Sequence, residues 1–417
     1  MSKFLIHGGR SLSGTVQVSG SKNAALPLLA ATLLTEQECI LSNIPDVADV
    51  QLMLKILEKI GAKFTFINNV VKIQTRKIKS VKIPTNFAGR MRASILLLGP
   101  LLARTGLAEI AFPGGCIIGR RSIHAHVYAL KKLGAIDQSS ANTLKFLAPK
   151  ITPTAFNLPE MSVTATENAL FAAALSSTET KIRMAAYEPH IVDVCKFLQK
   201  MGVKISGIGT HTLKISGAKK LNGAKHSTTT DYLEVGTLAL AALTTRGDVR
   251  IEGIVPKQLD SFFQKLEEIG ANFFVGTNFL ELRPTKKFRA VDIKTAVFPG
   301  FPTDLQAPFS VLLTQAVGKS RIFETLFEGR LNYLFELEKM GGRVEILNPQ
   351  QAVIFGDGKL HGAMLTSCDL RAGAAVVIAA LAARGHSEIS NIEYIDRGYE
   401  QLDKKLRMLG AEIKRSE

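Results

Sequence analysis

Cysteine is scarce in this 417-residue sequence, which has only four, at positions 39, 116, 195 and 368. None of them forms a CxxC pair, so neither a zinc site nor a disulfide framework is indicated. The eight histidines likewise lack metal-ligand spacing, and we interpret His7, His124, His126 and His190 as surface residues or as support for a site. These absences favour reduced thiols, a cytoplasmic location and no bound metal.

Long apolar runs are missing as well. The longest, at 95–103 and 372–383, are shorter than the ~20 residues needed to span a bilayer, and they adjoin arginines. The first ten residues lack the apolar core of a signal peptide. We therefore expect no membrane association.

Charge is unbalanced, since 52 lysines and arginines outnumber 36 acidic residues and give a net charge of +16. The chain nevertheless has no long basic block, no alternation of basic and aromatic residues and no nucleic-acid-binding motif. The excess therefore favours small anionic ligands over nucleic acid as partners. The chain is also longer than a typical single core, so two domains are expected.

An amphipathic helix that ends in glycine and is followed by a strand recurs six times. Glycine readily takes the left-handed conformation that ends a helix, which explains its place in each copy. The sequence thus predicts an α/β chain of six similar units. Their glycines, spaced 68 to 73 residues apart, are at 61, 134, 202, 270, 341 and 410.

A second helix, rich in alanine and leucine, precedes each amphipathic helix. Because these second helices are apolar on nearly all sides, we expect them to lie inside a domain. Their predicted ranges are 23–34, 93–104, 165–176, 233–245, 304–316 and 369–383.

Polar residues mark the start of these apolar helices. Capping by a short side chain would explain four of them. It does not explain three cations, because a positive charge opposes the helix dipole at that end, and so the cations favour a bound anion. The four are Ser162, Asp231, Asp304 and Asp369, and the cations are Lys22, Arg92 and Arg371.

The segment PGGCIIGRR, at 113–121, surrounds one of the thiols with glycine and arginine. Three glycines allow the backbone to fold over a ligand, as in an active-site lid. Arg120 and Arg121 favour the thiolate of Cys116, and the same guanidiniums suit a phosphate or carboxylate beside the sulfur. A glycine turn around a buried thiol is the alternative interpretation. We predict a reactive thiol in a mobile cationic loop.

Six motifs spread over the chain carry a family resemblance. They are SGSKNAA (19–25), MRAS (91–94), PGGC (113–116), FPTDLQ (301–306), DLRA (369–372) and IDRGYE (395–400). In these motifs the chain resembles the UDP-N-acetylglucosamine 1-carboxyvinyltransferases. Those enzymes are enolpyruvyl transferases that commit the sugar to bacterial peptidoglycan.

The resemblance implies an inside-out α/β barrel fold with two similar domains of three units each, and an active site in the cleft between them. The domain with the cysteine loop would span 22–228. The second domain would combine 1–21 with 229–417. Three of the six predicted units fall in each part.

The reaction implied by the resemblance joins a sugar 3′-hydroxyl to C2 of phosphoenolpyruvate and then eliminates phosphate. It needs a base near the hydroxyl, a proton donor to C3 and positive charge around the anionic groups. By motif, Asp304 would be the base and Cys116 the proton donor, which can also form a covalent adduct with phosphoenolpyruvate. Lys22 and Arg397 complete the catalytic set. No cofactor and no metal are implied, because fixed cations neutralise the phosphate.

Further residues match the family's substrate-binding positions. A first group would bind phosphoenolpyruvate. A second group, which also includes Leu326, would bind UDP-N-acetylglucosamine. The first group is Asn23, Arg121, Arg330 and Arg371, with Asp369 beside it; the second is Arg92, Arg121, Ser122, Ile123, His124, Ala125, Ser162, Val163 and Thr164.

Four residues depart from the family pattern. Thr164 replaces a glycine, Ser122 a proline and Gly329 an asparagine, while Glu160 stands where some members have lysine. All four lie toward the expected nucleotide-sugar side. The chemistry is therefore expected to be intact, whereas the acceptor is less constrained.

Three alternatives remain open. The sister family, enolpyruvylshikimate phosphate synthase, uses the same donor, but it lacks the cysteine loop. A paralogue could use another nucleotide sugar. A degenerate sugar-nucleotide-binding protein would have no turnover, which the presence of Lys22, Cys116, Asp304 and Arg397 opposes. The oligomeric state is not indicated by the sequence.

Overall fold

The computed structural model of the chain describes residues 2–114, 118–119, 121–356 and 358–416. The chain forms two compact units. The first contains Met1–Ser19, Ile117–Arg120 and Thr230–Glu417, and the second contains Gly20–Cys116 and Arg121–Thr229. The domain bounds expected from the sequence, 22–228 and 1–21 with 229–417, assign the loop segment differently, and we keep them as a proposal.

Three four-stranded sheets lie in the second unit. In each sheet the first two strands are parallel, and the other two neighbouring pairs are antiparallel. In spatial order, the sheets are Lys225–Ser227, Cys39–Ser42, Val70–Gln74 and Lys63–Ile67; Lys82–Ile83, Leu107–Ala111, Thr143–Leu147 and Ile136–Asp137; and Ala155–Asn157, Thr180–Arg183, Thr212–Ser216 and Lys204–Ser206.

Three four-stranded sheets of the same pattern lie in the first unit. The repetition predicted from the sequence is therefore confirmed, with one sheet for each of the six units. The sheets are Met364–Thr366, His386–Ser390, Lys3–His7 and Glu412–Ser416; Ser13–Gln17, Asp248–Glu252, Phe279–Arg283 and Asn272–Val275; and Ile293–Lys294, Lys319–Phe323, Gln351–Phe355 and Arg343–Asn348, beside the short pair Phe288–Arg289 and Ala316–Val317.

Helices alternate with these strands along the chain. The α-helices are α1 (Lys22–Ala31), α2 (Ala48–Ile60), α3 (Thr85–Ala88), α4 (Leu98–Thr105), α5 (His124–Lys132), α6 (Val163–Ala173), α7 (Pro189–Met201), α8 (Tyr232–Thr244), α9 (Asp260–Ile269), α10 (Thr303–Leu313), α11 (Leu334–Lys339), α12 (Leu370–Ala382), α13 (Glu393–Asp396) and α14 (Leu402–Met408). Short 3₁₀ segments occur at Thr32–Leu34, Arg92–Leu97 and Pro256–Gln258.

The alanine- and leucine-rich helices form the interior of each unit, as predicted. All thirteen residues of α8 are buried. Helices α8, α10 and α12 pack against one another in the first unit, and α4 packs against α6 in the second. Burying apolar surface of this extent is the main favourable term in folding, and it leaves the starts of these helices as the places where polar side chains gather.

Glycine ends or directly follows the last turn of each amphipathic helix. Gly202, for example, is the C-cap of α7, and its N–H donates to carbonyl groups of the last turn. All six of these glycines have positive φ, as their predicted role requires. The φ values are 122° at Gly61, 90° at Gly134, 108° at Gly202, 80° at Gly270, 86° at Gly341 and 90° at Gly410.

One predicted helix differs from the structure at its start. The range 93–104 begins as the 3₁₀ segment Arg92–Leu97 and becomes α-helical only in α4. Pro100, near the start of α4, has no N–H to donate, and its ring disfavours a regular α-helical turn just before it. The tighter 3₁₀ turn accommodates this restriction.

Candidate active site

In the first unit, Asp304 lies near the start of α10 and pairs with two arginines. Its carboxylate accepts hydrogen bonds from Nη2 of Arg330 and, at 3.1 Å, from Nε of Arg371. The arginine side chains are 5% and 3% exposed, whereas that of Asp304 is 25% exposed. The structure thus brings together three residues that the sequence analysis had selected, with the carboxylate still accessible.

Acidic side chains surround the guanidinium groups of Arg330 and Arg371. Burial lowers the pKa of Arg330, but the carboxylates of Asp304, Asp369 and Glu324 outweigh it, so its pKa is raised overall. The pKa of Arg371 is also raised: burial opposes this, while Tyr399 and Asp304 favour it. Both arginines are therefore permanent positive charges.

Arg371 is the second residue of α12, and two neighbours fix it there. Asp369 caps the helix by accepting from the N–H groups of Arg371 and Ala372, at 2.7 and 3.0 Å. The guanidinium of Arg371 lies 4.9 Å from the centre of the Tyr399 ring. The hydroxyl groups of Tyr399 and Thr237 are 2.8 Å apart. The chain after α13, with Arg397 as its C-cap, carries Tyr399 into this position.

Capping accounts for two of the four short polar residues singled out at helix starts. Asp231 accepts from the first turn of α8, as Asp369 does in α12. Ser162 is the N-cap of α6, but its side chain makes no capping hydrogen bond. Asp304 lies inside the first turn of α10 and bonds to the arginines. The simpler explanation thus fails for Ser162 and Asp304.

Glu324 is a residue of this cluster that the sequence analysis missed. Its fully buried carboxylate accepts from the hydroxyls of Thr295 and Thr303, at 3.0 and 2.7 Å. It also accepts from the backbone N–H of Leu326, at 2.9 Å. Glu324 therefore fixes the turn that carries Leu326 and leads to Arg330. A glutamate directly after a strand, five residues before the Gly329-Arg330 pair, was the available signal.

In the second unit, Lys22 and Asn23 begin α1, and Ser21 caps that helix by accepting from Ala24 N–H. The Nζ of Lys22 lies 3.5 Å from a carboxylate oxygen of Asp49, with side-chain exposures of 12% and 7%. Lys22, whose charge opposes the helix dipole, thus has a protein counter-charge in Asp49 of α2. Arg371 has its counter-charge in Asp304.

Arg92 differs from the other two cations. Its Nη2 donates to two backbone carbonyl groups, those of Arg121 at 2.7 Å and Ser122 at 2.9 Å. Burial, followed by repulsion from Arg121, lowers the pKa of Arg92 to about 10. Both acceptors are neutral, so this charge is the best placed of the three to attract an anion.

Arg92 also holds the segment that precedes α5. The Ser122 hydroxyl accepts from the backbone N–H of His124, the first residue of that helix, at 3.0 Å. The proline that the family pattern has at this position could not do so. Arg121, Ser122 and His124 are exposed, Ile123 is half-buried and Ala125 is buried.

The start of α6 lies within the same unit. Ser162, Val163 and Thr164 are half-buried there, whereas Glu160 is exposed. Thr164 Oγ1 is 3.0 Å from Nε2 of the buried His126. His126 is thus tied to a residue of the predicted nucleotide-sugar set.

The cysteine loop is described only in part. Cys116, Gly115, Ile117 and Arg120 lie outside the described residues, so the predicted thiol environment stays a prediction. The described residue Gly114 packs closely against the backbone at the end of α3. A Cβ atom on Gly114 would lie 1.7 Å from the carbonyl oxygen of Gly89.

Gly329 is one of the four departures from the family pattern, and it has a packing role. Its N–H donates to the carbonyl oxygen of Ile118 at 3.0 Å. A Cβ atom there would lie 2.9 Å from the carbonyl carbon of Ile118 and 3.1 Å from the nitrogen of Gly119. This close backbone approach requires a residue without a side chain.

The other three thiols have surroundings that disfavour the thiolate. Burial raises the pKa of Cys39 to about 11 and that of Cys195 to about 12. Cys368 is exposed, and partial burial of its thiol together with Glu336 raises its pKa as well. None of the three is a suitable nucleophile at neutral pH.

The described parts of the chain contain no group of three or more histidine, cysteine, aspartate or glutamate side chains arranged to hold a metal ion. Within the same residues, no helix is long and apolar enough to cross a membrane.

Comparison with known proteins gives consistent results. The model of the EPSP synthase (3-phosphoshikimate 1-carboxyvinyltransferase) family matches residues 6–406. UDP-N-acetylglucosamine 1-carboxyvinyltransferase 2 of Carboxydothermus hydrogenoformans is 44% identical over 417 residues, covering 100% of this chain and 99% of the relative. UDP-N-acetylglucosamine 1-carboxyvinyltransferase of Treponema denticola is 42% identical over 426 residues, and the alignment covers 100% of both chains.

Solved structures show the fold. The enolpyruvyl transferase NikO from Streptomyces tendae superposes with a TM-score of 0.90 at 24% identity, covering 100% of this chain and 99% of the other. EPSP synthase from Acinetobacter baumannii gives a TM-score of 0.76 at 18% identity, with 100% of both chains covered. The predicted inside-out α/β fold is confirmed.

Proposed function

Because the chain belongs to the enolpyruvyl transferase family, and within it to the UDP-N-acetylglucosamine 1-carboxyvinyltransferases, we propose that it forms an enolpyruvyl ether on UDP-N-acetylglucosamine. The enolpyruvyl group comes from phosphoenolpyruvate, the acceptor is the sugar 3′-hydroxyl, and phosphate is released. This is the first committed step of peptidoglycan synthesis. We further propose a cytoplasmic location and, through the cell wall, a role in cell shape and division.

The observation that carries the proposal is the Asp304 carboxylate between Arg330 and Arg371. Addition to phosphoenolpyruvate needs a carboxylate that accepts the hydroxyl proton while cations stabilise the phosphate and carboxylate groups. Asp304 is partly exposed, so a substrate hydroxyl can reach it, and its two arginines are rigid permanent cations. We assign Asp304 the role of base and the arginines the role of charge stabilisers.

The remaining roles follow the family motifs. Cys116 donates the proton to C3 and can hold a phosphoenolpyruvate adduct. Lys22, Asn23, Arg121 and Arg397 bind the donor anion. In the elimination step a C3 proton leaves with the phosphate group, so the ether keeps the double bond of the donor. Arg92 and the segments 121–125 and 162–164, with Leu326, bind the nucleotide sugar.

The test of this function is phosphate release from phosphoenolpyruvate with two acceptors. We expect release with UDP-N-acetylglucosamine and none above background with shikimate 3-phosphate. Release with the second acceptor alone would identify the sister activity. No release with either acceptor would identify a binding protein without turnover.

Covalent labelling gives a second test. We expect fosfomycin, the epoxide phosphonate that inhibits the family, to add once, on Cys116, because a thiolate opens the epoxide and the adjacent arginines favour both thiolate and phosphonate. Cys39 and Cys195 are excluded by burial, and Cys368 is the exposed internal control. Intact-mass and peptide mass spectrometry should find one adduct, formed faster with UDP-N-acetylglucosamine. Equal labelling of Cys116 and Cys368 would contradict the proposed setting of the loop thiol.

A further inference from the structure

We propose that the Thr164 hydroxyl donates a hydrogen bond to an anionic oxygen of the bound nucleotide sugar, and that His126 and Asn168 are positioning residues that set this direction. The inference rests on the proposed function, whose acceptor carries a diphosphate. It is carried by a series of hydrogen bonds that runs from the backbone at the start of α4 through Asn168 and His126 to Thr164 of α6.

This series of hydrogen bonds begins where the 3₁₀ segment Arg92–Leu97 meets α4. In α6, Asn168 is fully buried and faces this junction. Its Oδ1 accepts from the backbone N–H of Gly99 at 2.7 Å, and its Nδ2 donates to the carbonyl oxygen of Ile95 at 2.9 Å. A backbone N–H can only donate and a carbonyl can only accept, so these two contacts fix which end of the amide is oxygen.

The orientation of Asn168 determines the proton position on His126. Nδ1 of His126 lies 3.0 Å from Nδ2 of Asn168, which can only donate, so Nδ1 must be the acceptor. Burial, followed by repulsion from Arg92 and Arg121, lowers the pKa of His126 to about 3. The ring is therefore neutral at physiological pH and carries its single proton on Nε2.

The proton on Nε2 determines the role of Thr164. Its Oγ1 lies 3.0 Å from Nε2 of His126, so the threonine oxygen accepts this hydrogen bond. A hydroxyl carries one hydrogen of its own, which must then be donated elsewhere. Within the described part of the chain, His126 is the only hydrogen-bond partner of the Thr164 side chain. A half-buried hydroxyl thus presents an unused donor at the start of α6.

The charge around this donor indicates the chemistry of its acceptor. Arg92 donates to the carbonyl groups of Arg121 and Ser122, just before the helix that carries His126, so positive charge lies near this donor. An O–H donor beside this positive charge suits an anionic oxygen such as that of a diphosphate. The family pattern has glycine at this position, which offers no hydroxyl. Thr164 therefore adds a ligand contact that such a chain lacks.

The first experiment compares Thr164→Val with Thr164→Ser. Valine keeps the branched shape but cannot donate, and we expect the KM for UDP-N-acetylglucosamine to rise at least about tenfold, the lower end of the loss for a hydrogen bond to a charged group. The KM for phosphoenolpyruvate should change less than about twofold. Serine should restore most of the affinity. An unchanged KM for UDP-N-acetylglucosamine in Thr164→Val would overturn the inference.

The second experiment separates positioning from a general structural role of His126. We expect His126→Phe to raise the KM for UDP-N-acetylglucosamine severalfold in the wild-type background. In the Thr164→Val background, His126→Phe should raise this KM by less than a further twofold or so, because the hydroxyl that His126 positions is already missing. Equal effects in both backgrounds would contradict the positioning role. ¹⁵N NMR of the His126 ring should also show protonated Nε2 between pH 5 and 8, and an Nδ1 proton would contradict it.

Calorimetric titration with UDP-N-acetylglucosamine distinguishes this inference from the proposed function. If the wild-type protein binds the sugar nucleotide but releases no phosphate, the proposed function fails, and a tenfold weaker Kd in Thr164→Val still supports the hydroxyl contact. Equal Kd values in the two proteins would overturn the contact alone. Absence of binding to the wild-type protein would overturn both.

Discussion

Asp304→Asn is expected to lower kcat by roughly 10²–10⁴-fold, the usual contribution of a general base. Asparagine has nearly the same shape but is not a base, and its single oxygen can accept from only one of Arg330 and Arg371, which donate to different carboxylate oxygens of Asp304. The measurement is steady-state phosphate release, with UDP-N-acetylglucosamine binding recorded in parallel. Binding that stays within about tenfold would locate the loss in the chemical step.

The controls for Asp304→Asn address stability. Removing the carboxylate leaves two buried guanidiniums without this counter-charge, so thermal unfolding must be compared with that of the wild-type protein. Asp248→Asn, at an exposed strand position, is the matched variant and should keep wild-type turnover. Turnover of Asp304→Asn within about threefold of the wild-type rate would remove Asp304 from the role of base.

Cys116→Ser is expected to lose most turnover at neutral pH, roughly 10²-fold or more. A serine hydroxyl is a far weaker acid than a thiol beside arginines, so it cannot donate the proton to C3. Cys116→Asp should retain activity, because a carboxyl group can also donate a proton, and its activity should fall as pH rises and the carboxyl ionises. Turnover measured between pH 5 and 9 compares the two variants.

The matched control for the loop thiol is Cys368→Ser. Cys368 is exposed, but partial burial and the nearby Glu336 raise its pKa, so its thiol is in the neutral form. This variant should keep the wild-type rate across the pH range. Wild-type turnover in Cys116→Ser would show that another group donates the proton.

The fold could be predicted from local signals because each unit repeats them. Gly202 and its five equivalents mark helix ends through a backbone conformation that glycine favours, and the structure has positive φ at all six. The start of the 93–104 helix could not be predicted in the same way. Pro100 is visible in the sequence, but Pro27 and Pro308 lie inside α1 and α10 without displacing their starts.

The site was predictable in its residue types but not in its pairings. Lys22 and Arg371 were recognised as cations in unfavourable positions, yet their partners Asp49 and Asp304 come from other helices. Glu324 and Asn168 carry no motif, because what makes them important is burial against groups distant in the chain: the hydroxyls of Thr295 and Thr303 for Glu324, and the backbone of Ile95 and Gly99 for Asn168. Such partners depend on tertiary packing, which a single sequence does not display.

The most direct test of the central claim is NMR identification of the product formed from UDP-N-acetylglucosamine and phosphoenolpyruvate labelled with ¹³C at C2. We predict that the labelled carbon becomes an enol ether carbon coupled to the hydrogen on C3′ of the sugar, with one phosphate released per ether formed. Label recovered only as pyruvate, or attached to another hydroxyl, would contradict the assigned reaction.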